Sequence, residues 1–183
     1  MTELDVPLFG QPARNYCVPA CLKMEIEFLR QKYGDAIPKL SISQIARIVN
    51  TKWDGTAPKD VENINRYFEA KLCIEFKAEY MQHFPEIQKE LEKERPVITW
   101  INSQRPPDKL WHAVVVRGFD ESHFVIFNDP WDCKRKAEEV GVFISEWGTE
   151  AKMIRLLISK EKQSYLYEYS REHNINGELT DEQ

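Results

Sequence analysis

The chain has 183 residues, 42% hydrophobic and 11% aromatic, with a formal net charge of −5. That length and apolar content suit one folded domain with a real core and exclude a disordered chain. Lys and Arg are scattered among the acids without a basic patch, which argues against nucleic-acid binding, and no apolar run is long enough to span a bilayer.

The N-terminal residues Met-Thr-Glu-Leu-Asp lack the charged start and apolar stretch of a signal peptide. Together with only four cysteines in a chain of this length, this predicts reduced thiols and a cytoplasmic protein. Nothing in the sequence specifies an oligomeric state.

The first predicted helix covers residues 17–33. Pro19 is tolerated only within a first turn, which sets the start at Cys17, and Gly34 stops the helix. Cys17, Ala20, Cys21, Met24 and Phe28 form one apolar stripe; Leu22, Ile26, Leu29 and Tyr33 form a second. Only Lys23, Glu27 and Arg30 leave a clearly wet face, so most of the helix is expected to be buried. A second helix is expected over residues 43–50, and a third after Pro58 with Val61, Ile64, Tyr67 and Phe68 inward.

Residues 72–76 read as a short strand, 84–94 as a charged helix with a solvated face, and Pro96 opens a strand through Val97, Ile98, Trp100 and Ile101. The polar residues 102–109 form a loop leading to His112. Apolar runs over 113–119 and 124–127 predict strands, and 151–158 a last strand. Beyond it the chain turns polar, with Tyr165, Leu166 and Tyr169 marking a docked helix before a frayed acidic end. The expected organisation is one domain over residues 1–158 and an extension over 159–183. Helices first and sheet afterwards make the expected class α+β.

The order Gln11, Cys17, His112, Asp129 is the feature that points to a reaction. A thiol is a strong nucleophile only as the thiolate, which a helix N-terminus and a neighbouring base both favour. Cys17 is placed at such a terminus, His112 is the candidate base and Asp129 its orienting acid. With a two-residue turn at Asp120-Glu121, His112 falls directly opposite Asp129, on one face with Cβ atoms roughly 4.5–5.5 Å apart. A one-residue slip would send one of them to the other face. Pro130, just past the strand, stops the ladder. Gln11 and the backbone N–H of Cys17 are the candidate donors to a developing oxyanion.

Each residue also has a plainer role. A lone cysteine near a helix start packs as an inert core residue, and Cys21, one turn along the same stripe, is expected to do so. Cys17 and Cys21 share the i, i+4 spacing of a metal pair, but Cys73, Cys133, His83 and His123 lack a compact spacing to complete a zinc site. Neither a metal nor a cofactor is expected. His83, His123 and His173 fall in loop or tail context. Trp111 and Trp131 flank His112 and Asp129 in sequence, where they could wall a substrate groove or pack in the core.

These residues resemble the papain-like cysteine peptidases, and most closely the bacteriocin-processing, double-glycine-leader peptidases and their stand-alone relatives. The resemblance is carried by Gln11 six before Cys17, Pro19-Ala20-Cys21-Leu22, Asp54-Gly55-Thr56, His112-Ala-Val-Val-Val-Arg-Gly118 and Asn128-Asp129-Pro130. It implies a papain-like cysteine proteinase fold, with an N-terminal helical half packed on a C-terminal antiparallel sheet and the site between them. It further implies Cys17 as nucleophile, His112 as general base, Asp129 as orienting acid and Gln11 as oxyanion donor, acting on a peptide or protein substrate. Val18 stands where that family usually has Gly, and Trp111 where it has a small residue; both positions, with Trp131, are expected at the approach of the substrate. The same machinery could pass an acyl group to an amine, and the same scaffold without activity could serve as a peptide-binding module.

Overall fold

The computed structural model describes residues 2–68, 74–102 and 111–158. The helical part comprises β1 (Thr2–Glu3), α1 (Cys17–Tyr33), α2 (Ile42–Ile48) and α3 (Pro58–Val61), the last continued by a 3-10 helix over Glu62–Tyr67. The sheet part comprises β2 (Ile74–Glu79), α4 (Phe84–Glu92), β3 (Val97–Asn102), β4 (Trp111–Phe119), β5 (Phe124–Asp129), β6 (Lys134–Glu139), α5 (Val140–Trp147) and β7 (Met153–Ile158). The class is α+β, as expected. The expected loop over 103–109, the first two residues of the strand placed at 72–76 and the C-terminal helix lie outside the described residues.

α1 has the bounds its sequence predicts. Gly34 ends it at a φ of 60°, with its N–H on the Arg30 carbonyl. Leu22, Met24 and Ile26 are completely buried, each worth roughly 1.5–3 kcal/mol of transfer from water. The helix lies against α2 on one side and β4 on the other, which is why it needs two apolar stripes. α2 starts at Ile42 because Ser41 and Gln44 close a capping box, each side chain accepting the other's backbone N–H. In the third helical segment Val61 and Ile64 are buried, but Tyr67 is 46% exposed, contrary to expectation. The chain turns extended at Phe68, whose ring enters the core 5.5 Å from that of Phe76 and takes the place Tyr67 was expected to fill.

The strands run in the order β2-β7-β3-β4-β5-β6, antiparallel throughout, with β1 pairing β4 beyond the end of β3. Sequence reading misses β6 and α5. β6 is Lys-Arg-Lys-Ala-Glu-Glu, a charged edge strand whose ladder is supplied by β5. α5 follows without a loop, capped by the Glu139 carboxylate on the Gly141 N–H. It buries Phe143 and Trp147, and the Phe143 ring packs on Phe84 and Phe127.

The β4–β5 hairpin also corrects an expectation. Its turn spans four residues, 120–123, organised by Asp120, whose carboxylate accepts the N–H groups of Ser122 and Phe124. A bulge lies between Val116 and Gly118, and the register beyond it pairs Val115 with Asn128 and Val116 with Phe127. Continued, that register sets Asp129 opposite Val114, two residues from the expected partner His112. A slip of two preserves the face where a slip of one would not, so His112 and Asp129 remain same-face diagonal neighbours, within side-chain reach.

Arg117, the bulged residue, is buried and donates through its guanidinium to the Leu4 carbonyl, while the Leu4 N–H donates to the Arg117 carbonyl. Asn128, also buried, donates its amide to the Val6 carbonyl at 3.1 Å. The N-terminal segment is thereby stitched across β4 and β5, which delivers Gln11 and then Cys17 to the end of β5.

Candidate active site

Three pieces of chain meet at one end of the sheet: the first residue of α1, the second of β4 and the last of β5. Cys17 opens α1, whose first turn has no acidic residue and whose N-cap, Tyr16, makes no side-chain cap. The free N–H groups and positive dipole end at that terminus favour negative charge on the sulfur. Cys17 and His112 are 8% and 7% exposed, so both reach the surface, whereas Asp129 is fully buried. Reactive atoms at the mouth and acid beneath is the layering a nucleophile–base–acid relay requires.

The His112 ring is held by Asp129, with Nε2 2.7 Å from Asp129 Oδ1, and Cys17 is the second group that acts on it. Burial, the largest influence on this imidazole, favours its neutral form; the bonds to Asp129 and Cys17 together override it and raise the pKa from 6.5 to about 9. At neutral pH His112 is therefore an imidazolium beside the Asp129 carboxylate. Burial likewise works against the charge on Asp129, but His112, Lys136 and the Trp131 N–H hold its carboxyl well below the usual carboxylate range. Oδ1 accepts from the Trp131 N–H at 2.9 Å, and Oδ2 from Lys136 Nζ at 2.6 Å.

Gln11 is tied to the same corner, its N–H donating to the Pro130 carbonyl at 2.8 Å. Its side-chain nitrogen donates to the carbonyls of Ala13 and Arg14 at 2.8 and 3.0 Å, and its Oε1 is buried with no hydrogen-bond partner among the described residues. The amide thus closes the loop that precedes Cys17.

The three residues expected to meet substrate separate. Val18 is 1% exposed and belongs to the core, because the second residue of α1 turns inward; a substrate cannot reach its side chain. Trp111 is half-exposed, but alternation along β4 points it away from His112. Lys152 Nζ lies 4.7 Å from its ring centroid, and its edge approaches Gly148. Of the three, Trp131 alone stands beside His112, its ring edge-on at 6.2 Å and 49% exposed.

Cys21 is fully buried, its thiol on the Ala113 carbonyl at 3.4 Å. Burial first, then the charges of Cys17, Glu25 and Asp129, push its pKa well above that of a free thiol, so it stays protonated and inert. Among the described residues no group of His, Cys, Asp and Glu is arranged to hold a metal.

Sequence reading misses Lys136, hidden in a charged strand, and Glu25. The latter is completely buried, and neither of its oxygens has a hydrogen-bond partner among the described residues. Burial pushes its carboxyl well above the usual range. The signal was available: Cys17, Cys21 and Glu25 repeat every four residues, and so share one helix face. Asn15 is a further link, its amide donating at 2.6 Å to the Lys52 carbonyl of the turn that carries Trp53, which is 89% exposed.

A helical N-terminal half set against an antiparallel sheet, with Cys and His facing each other across the junction, is the papain-like cysteine peptidase fold. The model of the Peptidase_C39 like family matches residues 3–152, and the chain belongs to that family. Among solved structures it is similar to the peptidase domain of Streptococcus ComA, described as a bi-functional ABC transporter involved in a quorum-sensing pathway. The identity is 19% and the TM-score 0.60, over 87% of this chain and 98% of that one. It is also similar to a chain from Bacillus anthracis described as a C39-like peptidase, at 14% identity and a TM-score of 0.63, over 84% of this chain and 94% of that one. A search of the curated proteins gives no match. No helix among the described residues is long and apolar enough to cross a membrane.

Proposed function

We propose that the protein is a cysteine peptidase or amide hydrolase acting on a peptide-like substrate through Cys17. The observation that carries this is the His112 ring, with Nε2 2.7 Å from Asp129 Oδ1 and Cys17 near enough to act on its titration. The Cys17 sulfur attacks the scissile carbonyl carbon, and the carbonyl oxygen takes up negative charge. The N–H of Cys17 is one donor to that oxyanion, and Gln11, after releasing the Ala13 and Arg14 carbonyls, is the second. His112 gives its proton to the leaving nitrogen as the C–N bond breaks, leaving a thioester on Cys17. Water then adds as His112 takes its proton, and the thioester bond breaks to return the thiol. Asp129 holds the ring in the orientation both steps need. A cytoplasmic setting would keep the thiol reduced.

A peptide-derived electrophile, followed by peptide mapping, tests the reading. Labelling at Cys17 in the wild type, its loss in Cys17→Ala and a drop of at least tenfold in His112→Ala are expected. Modification of Cys133, the exposed free cysteine among the described residues, with Cys17 untouched would overturn it.

A further inference from the structure

The acid of the relay does not face His112 alone. Lys136 reaches back from β6 to Asp129 Oδ2 at 2.6 Å and also bonds Asp132 Oδ2 at 2.9 Å. The β5–β6 register makes this contact a property of the fold. Asp129 pairs with Lys134, and Phe127 with Lys136, so Lys136 is the same-face diagonal neighbour of Asp129. Asp129 is fully buried, while the Lys136 side chain is 23% exposed, its ammonium reaching inward along its own stem. An edge strand of charged residues thus sends one cation under the sheet to the buried carboxylate.

The groups that meet here are Cys17 and, a turn deeper, Cys21 of α1; His112 of β4; Asp129 of β5; and Asp132 and Lys136 from the β5–β6 turn and β6. Cys21 is uncharged, for the reasons of burial given above. Asp132 is one-third exposed, and its charge is largely screened by water. Lys136 thus brings a cation within bonding distance of Asp129 besides the imidazolium itself.

Resting on the hydrolase reading, we infer that Lys136 is a positioning residue of the relay: it fixes Asp129 and neutralises part of its charge, so that His112 holds its proton less tightly. An imidazolium beside an unopposed buried carboxylate is a poor proton donor, since the acid strength a leaving amine needs falls as the pair tightens. The ammonium sets that balance without touching substrate.

The test is a titration of His112 by NMR of labelled imidazoles in the wild type, Lys136→Met and Lys136→Arg, with thermal melts as a check on folding. Loss of the cation should raise the His112 midpoint above its wild-type value of about 9 by roughly half to one pH unit, with kcat reduced several-fold at neutral pH. Arginine should restore the midpoint. A folded Lys136→Met protein whose midpoint is unmoved or lower overturns the inference, as does a kcat loss that arginine rescues without any change of midpoint in the Met variant. If Lys136→Met is too unstable to titrate, Asp132→Asn, which frees Lys136 for Asp129, should lower the midpoint; a rise would count against the inference. The titration needs no substrate. An unlabelled Cys17 therefore defeats the hydrolase reading separately, and a midpoint that still moves retains the coupling of Lys136 to His112.

Discussion

Replacing Asp129 by Asn removes the charge that opposes the burial of His112 while keeping nearly the same volume. The wild-type ring titrates at about 9 against 6.5 for an unperturbed one, and that difference corresponds to roughly 3 kcal/mol favouring the charged form. Burial acts in the other direction and Cys17 shares in the upward shift, so the variant's ring should titrate clearly below about 9, by the share that Asp129 contributes. The stability consequence follows from linkage. His112 has a folded pKa above its unfolded one, so its contribution is fully present below about 6.5 and is lost as pH rises through about 9. Asp129 is depressed, so its contribution is present above about 4 and lost as pH falls towards its folded value. Asp129→Asn should therefore cost at most about 3 kcal/mol between about pH 4.5 and 6.5, the same coupling being counted once, and the cost should shrink as the pH rises from 6.5 and be gone above about 9. Urea unfolding at pH 6 and pH 9.5, with NMR titration of His112, measures both quantities. A variant whose ring still titrates at about 9, or whose stability loss is the same at both pH values, would refute the argument that the carboxylate helps to keep the imidazole charged.

Gln11→Ala should lower kcat by about 10²–10³ with little change in KM if its amide serves the oxyanion; steady-state kinetics check this, and unchanged kcat would leave Gln11 only its bonds to Ala13 and Arg14. Glu25→Met replaces a buried carboxyl without a hydrogen-bond partner and should stabilise the fold by roughly 1–3 kcal/mol, read as a higher urea midpoint. Because burial raises the Glu25 pKa, the wild type loses stability as pH climbs above about 4.5, and this variant should lack that part of the pH dependence; a destabilised Glu25→Met would show that the carboxyl has a role in the fold.

How far the chain could be read in advance depended on the range of the forces concerned. α1 was legible to the residue because its ends are set locally, by Pro19 and Gly34, and its burial by stripes that repeat along one helix. The strands over β3, β4, β5 and β7 were legible because their apolar runs are longer than a loop tolerates. β6 was not, since an edge strand need bury nothing of its own and takes its ladder from β5. Tyr67 and Val18 were misplaced for a related reason: which of two adjacent residues enters the core is settled by what else fills it, Phe68 against Phe76 in one case and the inward turn of α1 in the other.

The sequence by itself determined the chemistry on offer: a thiol at a helix start, an imidazole and a carboxylate on one sheet face, and a glutamine upstream. Parity, a property of alternation along strands, kept His112 and Asp129 together even though the turn and the bulge differed from expectation. Only the tertiary structure decided the electrostatics of that site. How deeply Asp129 and Glu25 are buried, which way Trp111 turns and which cation reaches Asp129 depend on elements distant in the chain, and desolvation and Coulomb energies act through space.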